Sequence, residues 1–131
     1  MKMRELFYRI PSYLPSVIVL LLLFYFTLVP QPLPPIDVPM LNFDKVVHII
    51  MMYGVTFTIM FDYKRRERQR VLSLSVRFCI MMGCVILGAL IELAQGTTLI
   101  NRGCDLWDGI ANAIGCLLAL FTAPSILRRL L

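Results

Sequence analysis

Apolar positions along the 131-residue chain gather into four long blocks, at about 12–29, 44–63, 78–95 and 105–123. Short charged or Pro-rich pieces separate them. A hydrocarbon core of about 30 Å needs roughly 20 helical residues at about 1.5 Å each. The second and fourth blocks reach that length only if their polar ends, Asp44-Lys45 and Asp105–Asp108, belong to the helices. The blocks lack the alternation of a strand, and four of them cannot close a barrel. The pattern predicts an all-α polytopic membrane protein, one domain with four transmembrane helices.

The pieces between the blocks set the boundaries. Pro30, Pro32, Pro34, Pro35 and Pro39 fix φ and remove N–H donors, so this stretch reads as an extended connector. Asn42 is the expected N-cap of the second helix. Gly96-Thr97-Thr98 ends the third, Gly103 breaks the chain before the fourth, and Pro124-Ser125 closes the fourth. The first block follows the basic residues Lys2, Arg4 and Arg9, as in a signal peptide. Val29-Pro30-Gln31-Pro32 offers no small-x-small cleavage site, so a retained signal anchor is expected.

Composition agrees with the pattern. Hydrophobic residues make up 59% and charged ones 16%, against roughly a quarter charged in soluble domains. The net charge of +5 does not point to nucleic acid, because the cations flank apolar blocks without interleaved aromatics. Their placement predicts topology. Lys2, Arg4 and Arg9 precede the first block, and Lys64, Arg65, Arg66, Arg68, Arg70 and Arg77 lie between the second and third. Arg128 and Arg129 follow the fourth, which leaves Lys45 and Arg102 for the other side. The positive-inside rule then puts both termini in the cytoplasm. Asp37, Asp44, Glu92, Asp105 and Asp108 fall outside or at outer helix ends. Cys79, Cys84, Cys104 and Cys116 are not placed to pair, so no disulfide framework is expected.

Polar residues within the blocks collect at those outer ends. Asp44 and His48 are four apart and share a helix face, with Lys45 beside them. Glu92 and Gln95 share a face at the end of the third helix, with Gly88 one turn below. Asn101 and Arg102 follow in the loop. Asp105, Asp108 and Asn112 share a face at the start of the fourth helix, continued inward by Gly115. A charge at mid-bilayer costs about 2.5–3.5 kcal/mol on insertion scales, less near the interface. These residues are therefore expected to face one another in an outward pocket, with the apolar first helix peripheral. Gly83, Gly88, Gly109, Ala111, Ala113 and Gly115 offer small surfaces for close helix packing.

The pattern Asp44-Lys45-x-x-His48, Glu92-x-x-Gln95 and Arg102-x-x-Asp105-x-x-Asp108-x-x-x-Asn112-x-x-Gly115 resembles the VanZ-like membrane proteins. It covers a little over half the chain, from Phe43 to Gly115. The resemblance implies a bacterial inner-membrane protein of the cell envelope, from a family associated with teicoplanin resistance. It supplies no reaction.

The residues themselves leave several chemistries open. Carboxylates with one histidine can hold a divalent cation. Asp44, His48, Glu92 and Asp108 can equally serve as a catalytic acid/base set acting on an envelope lipid or cell-wall precursor, with His48 or Glu92 as general base. They can also be a hydrogen-bonded network that only locks helix register. Lys45 and Arg102 can clamp a carboxylate or phosphate, with Gln95, Asp105 and Asn112 as further ligand contacts, or can merely balance the acids. An ion pathway would need polar residues continuing to the inner side, where the second helix has only Thr56, Thr58 and Asp62. Trp107 is expected at the outer interface and Tyr53 in helix packing.

Overall fold

The computed structural model describes residues 2–28, 43–67, 71–97 and 106–131, with backbone alone for Phe43 and Asp44. Among the described residues every regular element is a helix: α1 Met3–Arg9, α2 Leu14–Leu28, α3 Phe43–Arg66, α4 Leu74–Gln95 and α5 Leu106–Leu130. The Pro-rich connector, Asn42, Gly103 and Cys104 lie outside the described residues.

α3, α4 and α5 are long and apolar enough to cross a membrane, and α1 with α2 makes a fourth candidate if that bent pair is one span. At 24, 22 and 25 residues the three long helices measure about 36, 33 and 38 Å, enough for a hydrocarbon core. α3 does include Asp44 and Lys45, the polar end that its length requires. The bundle's outer surface suits acyl chains and not water. Leu21, Ile50, Ile86, Leu90, Leu93 and Phe121 are each more than half exposed, far more apolar surface than a soluble monomer presents.

The core runs up the middle of the bundle. Leu23, Met52, Val55, Met81, Cys84, Ile91, Cys116 and Leu120 form its main cluster, contributed by α2 through α5. α3 and α5 are the most intimately packed pair. Gly115 explains the approach: a Cβ there would meet the Ile49 carbonyl and the Tyr53 amide nitrogen of α3. Gly88 does the same for α4, facing Asn112 and Met52. At Gly83 and Gly109 an added Cβ would find nothing within 4 Å, so of the four candidate glycines only Gly88 and Gly115 mark close contacts.

Helix boundaries follow local chemistry. Ser73 caps α4 by accepting the Val76 N–H at 3.3 Å, which starts the helix four residues before the expected Phe78. Gly96 ends it, as expected. The expected stop at Pro124-Ser125 does not occur, and α5 runs on to Leu130 with Pro124 inside it. Proline lacks the N–H that would bond the Leu120 carbonyl. Arg77 of α4 supplies the missing donor, its Nη1 lying 2.5 Å from that oxygen.

The first apolar block also differs from the simple apolar rod. The chain breaks by 74° between α1 and α2, with Tyr13 in the left-handed region at φ 62°. Such a conformation costs about 1–2 kcal/mol for a non-glycine residue. Two neighbours on α3 offset it. Asp62 Oδ2 accepts the Ser16 N–H at 2.9 Å and the Ser16 hydroxyl at 2.5 Å, capping the first turn of α2. Arg65 caps the other helix end: it donates to the carbonyls of Phe7, Ile10 and Pro11. Asp62 and Arg65 pair with each other at 2.9 Å. One acid–base pair on α3 thus holds both sides of the elbow.

Candidate functional site

α3 and α5 run parallel through the Gly115 contact, so the start of α3 meets the start of α5. That register brings the expected residues together at one end of the bundle. Lys45 Nζ donates to Asp108 Oδ1 at 2.6 Å. The other oxygen of Asp108 lies 3.6 Å from His48 Nε2. His48 Nδ1 meets Asn112 Oδ1 at 3.0 Å. His48, Asp108 and Asn112 are all buried, while Lys45 keeps its amine partly in contact with solvent.

The third helix joins at the same depth. Gly88 packs on Asn112 and Met52, which fixes one level across α3, α4 and α5. One helical turn toward the site from that level are His48, Glu92 and Asp108, because four residues advance a helix by about one turn. Glu92 is 5% exposed, so its carboxyl is inside the bundle and not in lipid. Burial at this depth requires polar company, since an unsatisfied buried charge is costly.

The arrangement constrains the histidine chemically. A side-chain amide oxygen only accepts, so Nδ1 carries the proton shared with Asn112. Nε2 faces Asp108. A carboxylate, an imidazole and an ammonium thus form one connected chain across α3 and α5.

Other expected members fall elsewhere. Gln95 is buried, but it turns to α2 and donates to the Thr27 carbonyl at 2.9 Å. Asp44 is in the first turn of α3, one turn from His48, with its side chain outside the described residues. Arg102 and Asp105 also lie outside them, as does Asn101. Trp107 is two-thirds exposed at the same end. Among the described residues no group of three His, Cys, Asp or Glu side chains is spaced to hold a metal ion. Tyr53 ties α3 to α5 through a 2.8 Å contact with Thr122.

A second polar cluster, Ser16–Asp62–Arg65, sits at the opposite end of α3. Sequence reasoning misses it by counting Asp62 only as an inner-side polar residue of the second helix and Arg65 only as a topology-setting cation. The signal for it is an acid and a base three apart at the end of an apolar helix, a spacing that shares one face. Nothing about Ser16 marks it in advance.

No family model matches the chain, and neither does a curated protein or a solved structure.

Proposed function

We propose that the chain is a VanZ-like protein of the bacterial inner membrane, with four spans, both termini in the cytoplasm and the His48 end facing outward. In this reading the basin formed by His48, Glu92, Asp108 and Asn112 binds a lipid or cell-wall-related molecule presented at the outer surface. Lys45 and Arg102 attract its anionic group. His48 Nε2 and the carboxylates of Asp44, Glu92 and Asp108 supply proton transfer if the bound molecule is modified. Gln95, held by Thr27, keeps the end of α4 in place beside the basin. Asp105, three residues before Asp108 in the sequence, is a further ligand contact in this reading.

The observation that carries the proposal is the buried, cross-helix chain Lys45–Asp108–His48–Asn112. Polar groups are rare and costly within a span and tend to mark functional sites. Below the basin the core turns apolar at Met52, Val55, Met81 and Cys116, which separates it from Asp62 at the other end. That plug favours a site open to one side over an ion pathway.

One observation favours a second reading, a scaffold whose polar residues only fix helix register. Both oxygens of Asp108 already face cationic or imidazole partners within the protein. Shape-preserving variants separate the two. Expression of the chain in a glycopeptide-susceptible bacterium is expected to raise teicoplanin tolerance. Glu92→Gln and Asp108→Asn are expected to abolish that gain at unchanged membrane abundance. Full tolerance in both variants, or no effect of the unaltered chain, contradicts the proposal. Loss of tolerance together with loss of the chain from the membrane supports the scaffold.

A further inference from the structure

At the end of the bundle opposite the His48 basin, a cleft of about 190 Å³ opens between the end of α3, the segment leading into α4 and the last turns of α5. Its walls are Val71, Leu72, Pro124 and Leu127, and Lys64 and Arg128 complete the lining. We propose that this cleft is a binding site for an anionic phospholipid, with the phosphodiester on Arg128 and Lys64 and an acyl chain against the apolar wall.

The geometry selects that occupant. Lys64 and Arg128 belong to the last turns of α3 and α5, at the depth where a spanning helix meets the headgroups. Among the described cations at this end, Arg65, Arg66 and Arg77 are directed elsewhere. Arg65 holds Asp62 and three carbonyls, Arg66 lies 5.6 Å over the Tyr13 ring, and Arg77 bonds Leu120. Arg128 is exposed beside the cleft, so the phosphate contact rests first on it. Lys64 has contacts of its own within the protein and adds positive charge to the rim.

Size and polarity narrow the choice further. Small-molecule pockets run about 300–1,000 Å³, so this cleft is too small to enclose a compact soluble ligand. It suffices for the upper part of one acyl chain, whose remainder continues along lipid-facing α4 and α5 surface at Leu74 and Phe121, both more than half exposed. A free phosphate would gain nothing from four apolar walls. A second copy of this chain would bring Lys64 and Arg128 against their own counterparts, which like-charge repulsion opposes.

The test uses the full chain purified in detergent, with lipid retention read by native mass spectrometry. Phosphatidylglycerol is expected to stay bound where chain-matched phosphatidylcholine is stripped. The double variant Lys64→Gln/Arg128→Gln should lower phosphatidylglycerol retention roughly thirtyfold, as expected for losing two interfacial cations. Lys64→Arg/Arg128→Lys should keep it. Arg4→Gln/Arg9→Gln, at two cations of α1 away from the cleft, should leave it unchanged. Undiminished retention in the Lys64→Gln/Arg128→Gln variant, an equal fall in the α1 control, or displacement of the lipid by inorganic phosphate would each overturn the assignment.

Discussion

Asp62→Ala is expected to be the most destabilising single substitution at the Arg65 end of the bundle. The Asp62 side chain is fully buried and that of Arg65 is 5% exposed. Removing the carboxylate strands a guanidinium in the protein interior and leaves the Ser16 N–H, an orphan donor of α2's first turn, without its acceptor. Breaking a buried ion pair from one side costs roughly 3–5 kcal/mol, a large part of the roughly 5–15 kcal/mol that holds a domain folded. Asp62→Asn should lose less, because an amide oxygen still accepts from Ser16. Arg65→Lys should also destabilise the elbow, since one ammonium cannot reproduce the fork that reaches the Phe7, Ile10 and Pro11 carbonyls. Thermal melting in detergent, together with protease access to the segment between α1 and α2, reads both effects. Unchanged melting in Asp62→Ala would show that the elbow does not depend on this pair.

Gly115→Leu is expected to be comparably severe at the other end, and for a different reason. The atoms that an added Cβ meets are the Ile49 carbonyl and the Tyr53 amide, backbone atoms of α3 that cannot swing aside as a side chain would. The helices must separate. The same seam carries the Lys45–Asp108, His48–Asn112, Thr56–Cys116 and Tyr53–Thr122 interactions, so separation weakens them together. Overpacking typically costs about 1–3 kcal/mol, and the weakened hydrogen bonds add to that. Gly109→Ala is the matched control. Nothing lies within 4 Å of a Cβ there, and alanine is favoured over glycine in a helix by about 1 kcal/mol, so melting should hold or rise. Equal melting of Gly115→Leu and the unaltered chain would mean that α3 and α5 are not in backbone contact at this point.

The long helices are legible in the sequence because a hydrocarbon solvent demands long apolar runs with internally bonded backbone. Their ends are less so. Pro124 reads as a stop from local chemistry, and only a tertiary contact, Arg77 on the freed Leu120 carbonyl, lets the helix continue. The first span reads as an apolar peripheral rod preceded by a basic leader. α1 is short and polar, and its helical form depends on Arg65, more than fifty residues away, capping its end. Ser16 and Thr27, ordinary residues within an apolar run, are what tie α2 to α3 and α4.

The site divides the same way. His48, Asp108 and Asn112 can be placed from spacing, because residues four apart share a helix face and charges in a span seek one another. Which partner each takes depends on the vertical register of the helices. That register is set by Gly88 and Gly115, and the other candidate glycines look no different in sequence. Gln95 shares a face with Glu92 yet serves α2, since three residues of offset also turn a side chain toward the neighbouring groove.

The proposed basin requires that His48, Glu92 and Asp108, from three helices, act on one another. Double-substitution cycles in unfolding free energy measure this directly, pairing Asp108→Asn with His48→Gln and Asp108→Asn with Glu92→Gln. Residues in one network show coupling of about 0.5–3 kcal/mol, and that is the expected result for both pairs. Additivity within about 0.3–0.5 kcal/mol in both cycles would mean that the three side chains have separate surroundings, and the basin would not exist.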